Sequence, residues 1–523
     1  MNITIPQNTQ DYSGSKQEFL GWITEPIWGH RLQRQPRSAL LLEFLGMAEA
    51  MFRQDKLLSN TEPGQNVPYE ANLSLHLRSI LFNNPRMEEI RQQFQGGDEE
   101  AWQAWLQEMK ETAPVGEKFS ADFSFLRDRF FHFNDLASRV NLLRRIALDP
   151  AANRSWTEQF LFPIGPAALF EPVYSDLTRN RVLFTRTGEI AYLMLSRASE
   201  ELRGSISAKL GRLFDPLSPR NKLLLSLIST PVPEKASQKG GAYLPYKSHP
   251  AFDRMATDID ALLSLELPDQ DAFEHLEPIL ALNLYLYGVE TANHWIGKEE
   301  IPPVTCEIPA PGMDIVRKAS VATFTDNEGL GVLAVRRFAE NAMQTDPDVT
   351  SKLQSEDINE EAKAELLADH ISKSCAMDRE RIRAADHQSQ TVRRNFLALA
   401  EKGYREGTAG ALQGLAAVAG LASRVGTNRV RYAPNDRLLQ ALVLANVKHQ
   451  IEESAFLRML HARYHIIIGP DEAQKDMPPG LCEAIDFKNN KERLARRLIG
   501  LGLAQRMSDA CTYIRNPFYR TKA

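Results

Sequence analysis

Only four cysteines occur in 523 residues, Cys306, Cys375, Cys482 and Cys511. They are widely separated and form no knuckle spacing, so neither a zinc finger nor a disulfide framework is expected. The usage fits a reduced, cytoplasmic protein. Long apolar runs are also missing. A bilayer span needs about 18 or more apolar residues, and the best stretch, Thr408 to Ala422, is shorter and interrupted by Gln413. The start, MNITIPQNTQDYSGSKQ, lacks a basic segment followed by an apolar one, so no secretory signal is expected. Aromatic residues are scarce at 8%, while Leu, Ala, Glu and Arg are plentiful, which favours helix. There is no overall basic excess either: the net charge is −5. A generally basic nucleic-acid coat is thereby excluded, and any such contact must be local.

Catalytic signatures are equally sparse. No G-x-x-x-x-G-K-[ST] phosphate loop occurs, since Gly297-Lys298 is followed by Glu299 and has no glycine at the required spacing. No G-x-S-x-G elbow occurs.

What is present is a mainly α pattern, long enough for two to four domains. Helical periodicity marks residues 36–58, 98–110, 119–148 with a break near Asn134, and 185–214. It resumes at 220–228, 251–266, 271–296 and, as a long charged helix or hairpin, 356–406. A short strand is expected at Arg181–Thr185. The stretch PVPEKASQKGGAYLPYKSHP (231–250) has a linker's composition, and IPPVTCEIPAPG (301–312) reads as a second proline-rich break. In Thr408–Arg424 the residues Gly410, Gly414 and Ala417 share a face, which suggests a closely packed helix. These signals predict a helical domain over 1–230, an exposed linker over 231–250, a central helical domain over 251–430, and a C-terminal module over 431–523.

The C-terminal module is the most informative part. Residues 488–523 hold nine Lys and Arg against Glu492 and Asp509, a local net of +7, which leaves −12 on residues 1–487. Asn435 can cap a first helix with Leu438, Leu439, Leu442, Val443 and Val447 on one face. IEESAFLRMLHARYH gives a second helix, followed by a β-branched run at Ile466–Ile468. Asp471 to Phe487 resembles an inserted loop. NNKERLARRLIGLG gives a third helix, capped by Asn489 or Asn490, with Leu494, Leu498 and Ile499 inward. LAQRMSDACTYIRNPF alternates as a hairpin. Helix, helix, basic helix, hairpin is the order of a winged helix. The expected DNA-backbone contacts are Lys488 just before the third helix, Lys491, Arg493, Arg496 and Arg497 on it, and Arg506 and Arg515 on the wing. A solvated basic face, or a dock for an acidic protein, is the plainer alternative.

Three segments carry a family resemblance: RYHIIIGPDEA (463–473), NNKERLARRLIGLGLAQRMSDACTYIRNPF (489–518) and RNRVLFTRTGEIAYLMLSRA (179–198). In these the chain resembles large subunits encoded in multi-gene bacterial anti-phage or restriction-type systems. The resemblance implies a non-enzymatic accessory role beside a helicase, ATPase or nuclease, and it transfers no catalytic residues. No cofactor is implied.

Other residues admit a chemical reading beside a structural one. Pro347-Asp348 with Glu361-Ala362-Lys363 matches a PD-(D/E)xK nuclease in letters, but EEAKAELLA is helical where that site needs strands. Asp369-His370 and Asp386-His387 would be candidates for a metal-dependent nuclease, using Asp369, His370 and His387, only if a hairpin joins them. His461 and His465 have a metal-binding i, i+4 spacing but no third ligand. Asp253, Asp258 and Asp260 suit a helix start. Tyr285, Tyr287, His294 and Trp295 read as core before they read as a base-stacking platform. Arg179, Arg181 and Arg186 could hold phosphate, or could pair with Glu171, Asp176 or Glu189.

Overall fold

The computed structural model describes residues 16–507 and 511–519, except 31, 33–38, 65–66, 69–71, 74–79, 82–83, 85, 113–121, 146–185, 229–231, 234–241, 266, 311–314, 376 and 427. The strand expected at Arg181–Thr185, and Arg179, Arg181, Glu171 and Asp176, lie outside the described residues. Within them the protein is mainly α, and its few strands are two to four residues long.

The helix Asp269–Trp295 runs through the middle of the largest hydrophobic cluster. Over residues 276–293 it is buried on every side, with Ile279, Leu282, Tyr285, Tyr287 and Val289 each at most 4% exposed. A helix with apolar residues on all sides belongs inside a protein, and the polar ones buried with them are partnered, Asn283 donating to Asp258 and to the Ile279 carbonyl. Around it pack Pro250–Leu263, Ile315–Ala342, Thr408–Ala419 and Asp436–Asn446. Tyr285 and Tyr287 are core residues, as their spacing suggested. Their hydroxyls are satisfied internally, by Tyr432 Oη at 2.5 Å and by the Trp28 carbonyl at 3.0 Å.

Ile315–Ala342 is 28 residues long and falls where periodicity had suggested no element. Its polar residues Ser320, Thr323 and Asn327 are buried, which blurs the apolar stripe. Ser320 Oγ and Asn327 Nδ2 donate to the Tyr432 carbonyl and hydroxyl at 2.7 and 2.8 Å. Gly331 sits under Tyr404, whose Oη would be 1.9 Å from a Cβ placed there, so only glycine admits this crossing.

The small-residue stripe of Thr408–Ala419 behaves differently from expectation. Gly410 and Ala417 are exposed, and the packed face is Ala411, Leu412, Leu415, Ala416 and Ala419. Close approach is provided by the neighbouring helix: a Cβ on Gly288 would lie 2.4 Å from Leu412 Cδ2. The long charged stretch 356–406 resolves into Glu360–Ser374, Arg379–Ile382 and Ser389–Glu406.

A second cluster gathers Trp102, Trp105, Phe123, Phe133 and Val140 with Leu224, Leu227 and Ile228. The two tryptophans meet edge to face at 6.0 Å. The main cluster crosses both expected boundaries. Ala242, Leu244 and Tyr246, in the stretch read as a linker, are buried in it, as are Tyr432, Leu438 and Leu460 of the C-terminal region. The second proline-rich break is a correction of the same kind. Val304–Thr305 is a strand pairing in parallel with Ile466–Ile467, and Cys306, Glu307 and Ile308 are buried. Prolines at 302 and 303 forbid helix there, but they leave an extended chain free to pair.

Asp258 departs from the helix-start reading as well. It is fully buried and accepts hydrogen bonds from Arg463 Nη2 at 2.5 Å, Tyr464 Oη at 2.7 Å and Asn283 Nδ2 at 3.0 Å. Asp253 and Asp260 stay near the surface. Asp253 accepts from the Ser199 N–H and Asp260 from Lys209. Arg186 begins the helix Thr187–Ser196 with a left-handed φ of 63°, and its N–H donates to Glu43 at 2.6 Å. Glu189 is buried and accepts from the Ala242 N–H.

Candidate nucleic-acid interface

The C-terminal region starts at the expected cap: Asn435 accepts from the Leu438 N–H at 2.9 Å and opens the helix Asp436–Asn446. A strand, Gln450–Glu452, leads into the helix Glu453–Tyr464. The basic helix is Ala484–Gly500, and the hairpin after it is Ala504–Arg506 with Thr512–Arg515. Gly502, at φ +74, takes the left-handed turn that joins helix to hairpin. The three strands form an antiparallel sheet with Thr512–Arg515 in the middle: Ile514 faces Ile451 on one side and Ala504 on the other.

Three details correct the sequence reading. The insert is not a simple loop, because Pro470–Asp476 is a helix with Pro in its first turn. Its Ala473 packs with Ile467, Met477 and Phe487 against Val316 and Ala319. The basic helix starts at Ala484, so Asn490 lies inside it rather than capping it. Asn490 is buried, donates to the Cys306 and Ile468 carbonyls at 2.9 and 3.0 Å, and accepts from the Ile308 N–H at 2.8 Å. It therefore holds this helix to the 304–308 segment. Ile499 faces outward, not inward, at 39% exposure.

The seven basic candidates do not form one patch. Lys488 and Arg496 are exposed on the same stripe of the helix, with Glu492 between them at i, i+4 spacing. Arg506 lies on the helix-facing side of the hairpin and reaches Glu492 with Nη2 at 2.7 and 2.9 Å. Arg515 is exposed on the opposite face of the sheet, beside Gln505 at 3.5 Å. The remaining three turn inward. Arg497 donates to Asp436 Oδ1 at 2.5 Å and to the Pro434 carbonyl at 3.1 Å, fastening the basic helix to the start of Asp436–Asn446. Lys491 lies 3.8 Å from Glu453, and Arg493 is half-buried. Periodicity could mark all of these as off the apolar face, but their acidic neighbours come from distant parts of the chain.

Two carboxylates shape the local field. The Arg506 and Arg496 guanidiniums hold Glu492 below its ordinary range. Burial pushes Glu453 up to about 7, against the pull of Lys491. Glu453 is 8% exposed, and its Oε1 has no hydrogen-bond partner among the described residues. Its folded pKa therefore stands above the unfolded value of 4.5. Between the two, the folded state keeps a proton that the unfolded chain releases, so raising the pH favours unfolding. Stability should fall from pH 4.5 to about 7 by roughly 1–3 kcal/mol and then level off. Urea midpoints at pH 5 and pH 8 check this: Glu453→Gln should narrow the difference, and an unchanged difference contradicts the assignment.

The residues that suggested catalysis are dispersed or occupied. Asp369 pairs with Arg379 at 2.9 Å, His370 is buried beside the Ala342 carbonyl, and His387 lies near Glu361 at 3.5 Å. Asp348, Glu361 and Lys363 sit on helices, with no strand to converge them. His461 bonds Asp476 at 2.5 Å, while His465, at φ 58°, leaves the helix axis and faces Glu290 at 3.7 Å. Left-handed backbone after Tyr464 thus destroys the shared face of the two histidines. No group of three or more potential metal ligands converges among the described residues. A cleft of about 920 Å³ is lined by Lys298, Asp326, Glu328, Tyr404, Arg405 and Gln413, with opposing charges and no His, Cys or Ser. Burial raises the Glu328 carboxyl, which accepts from Gln413 at 3.2 Å.

No helix among the described residues is long and apolar enough to cross a membrane. Comparison with protein-family models and with curated proteins finds no match.

Proposed function

We propose that this chain is a non-enzymatic accessory subunit, and that residues 436–519 are a winged helix binding the DNA backbone. The observation that carries the reading is the strand order: Gln450–Glu452, then Thr512–Arg515, then Ala504–Arg506, with a basic helix feeding the hairpin. A helix offered beside a three-stranded sheet is an arrangement suited to groove entry. Lys488, Arg496, Arg506 and Arg515 are the exposed cations that would meet phosphate. The resemblance to anti-phage and restriction-type subunits supports a place beside a helicase, ATPase or nuclease partner, and the few, widely spaced cysteines suit a cytoplasmic setting.

The test is anisotropy of a labelled random-sequence duplex from 50 to 200 mM salt. Wild type should bind at low salt and release as salt rises. Lys488→Glu with Arg496→Glu should weaken binding about tenfold or more and flatten the log–log salt slope by about 2. Both sites are exposed, so the urea midpoint should stay within about 0.5 kcal/mol of wild type. Normal binding by the double variant rules out this helix face. A wild type with no DNA retention but a stable protein partner favours a purely protein-binding adaptor.

A further inference from the structure

We propose that Glu492 is an autoinhibitory contact, a carboxylate that stands in for phosphate on the basic face and restrains nucleic-acid binding. This rests on the winged-helix reading above. Glu492 lies in the middle of the exposed stripe, one helical turn from Lys488 and one from Arg496. Both its oxygens are taken by Arg506 Nη2, at 2.9 and 2.7 Å, and Oε1 also receives Arg496 Nε at 3.3 Å. The two guanidiniums come from different elements, helix and hairpin, so one acid gathers both cations at the point where the elements meet.

The arrangement is accessible. The side chains of Glu492, Arg506 and Arg496 are 37%, 45% and 74% exposed. An incoming phosphate offers the same bidentate oxygen geometry as the carboxylate. It must displace Glu492 to reach Arg506 and then accept a negative charge nearby. Arg496 and Arg506 are therefore held in place but partly neutralised. That helps to keep a +7 tail from binding every polyanion. Removing only the charge of Glu492 should convert a restrained surface into a generally adhesive one.

The full chain and its Glu492→Gln variant are compared by anisotropy on a random-sequence duplex, again from 50 to 200 mM salt. Each further phosphate neutralised by a side chain changes affinity about threefold over that range and the slope by about 0.9. With one or two cations freed, Glu492→Gln should bind roughly three- to tenfold tighter at 50 mM and show a steeper salt slope. Glu492→Ala should behave alike, separating the charge from the shape of the side chain. A wild type that binds, with variants that bind no tighter, overturns this inference alone and makes Glu492 a support for its arginines. Silence from wild type and variants alike at 50 mM overturns the winged-helix reading as well. A wild type that is silent while Glu492→Gln binds supports both.

Discussion

Glu307→Ala should destabilise the protein by about 3–5 kcal/mol, because it strands the buried Arg431 guanidinium and takes from Arg317 its buried carboxylate partner. Glu307 is 1% exposed and receives Arg317 Nη2 at 2.7 Å, Arg317 Nε at 2.8 Å and Arg431 Nε. Arg431 is itself 1% exposed. Burying three charges is costly, and their mutual attraction offsets the cost only while the set is complete. Arg431→Met should cost less. It leaves Glu307 with Arg317 and removes an Nη1 that has no hydrogen-bond partner among the described residues. The order of the two urea midpoints is the check. If Arg431→Met proves the more damaging, the triad is not organised around Glu307.

Asp258→Ala should be the next most damaging, at about 2–4 kcal/mol, since it removes the acceptor for three buried or half-buried donors. Asp258 stands on Pro250–Leu263, while Arg463 and Tyr464 end the helix Glu453–Tyr464. The contact joins elements more than 200 residues apart in sequence. Arg463 keeps Asn446 Oδ1 and the Arg254 carbonyl, so it is not wholly abandoned. Tyr464 keeps Asn446 at 3.3 Å. Asp258→Asn retains the shape and one acceptor oxygen, and should recover part of the loss. Equal midpoints for the two variants would mean that charge, not hydrogen bonding, holds this joint.

Both predictions concern contacts that cross the boundary expected between 251–430 and 431–523, Glu307 with Arg431 and Asp258 with Arg463 and Tyr464. Residues 301–312 looked like a break because proline and glycine dominate the local signal. The structure instead makes Val304–Thr305 a strand and Glu307 the centre of an ion triad. Local composition reports what a segment cannot be, here helix, and is silent about a partner strand 162 residues away. The helix Ile315–Ala342 escaped notice for a related reason. Its buried Ser320, Thr323 and Asn327 look like surface residues until Tyr432 is placed against Ser320 and Asn327.

The candidate interface shows the same division. Alternation and helical periodicity are local properties, and they sufficed for the helix order of the C-terminal region, its hairpin and the cap at Asn435. The excess of Lys and Arg is likewise plain in the chain itself. Which of those charges face water depended on folding. Arg497 meets Asp436, 61 residues away, Arg506 meets Glu492 across the helix–hairpin junction, and Lys491 meets Glu453. A periodic pattern states that a side chain lies off the apolar face, but not what stands opposite it. The sequence alone therefore determined a mainly helical protein with a basic, ordered C-terminus. Only the tertiary structure decided that this end is continuous with the main core and that much of its charge is already paired, because ion pairing depends on distances of a few ångströms between residues far apart in the chain.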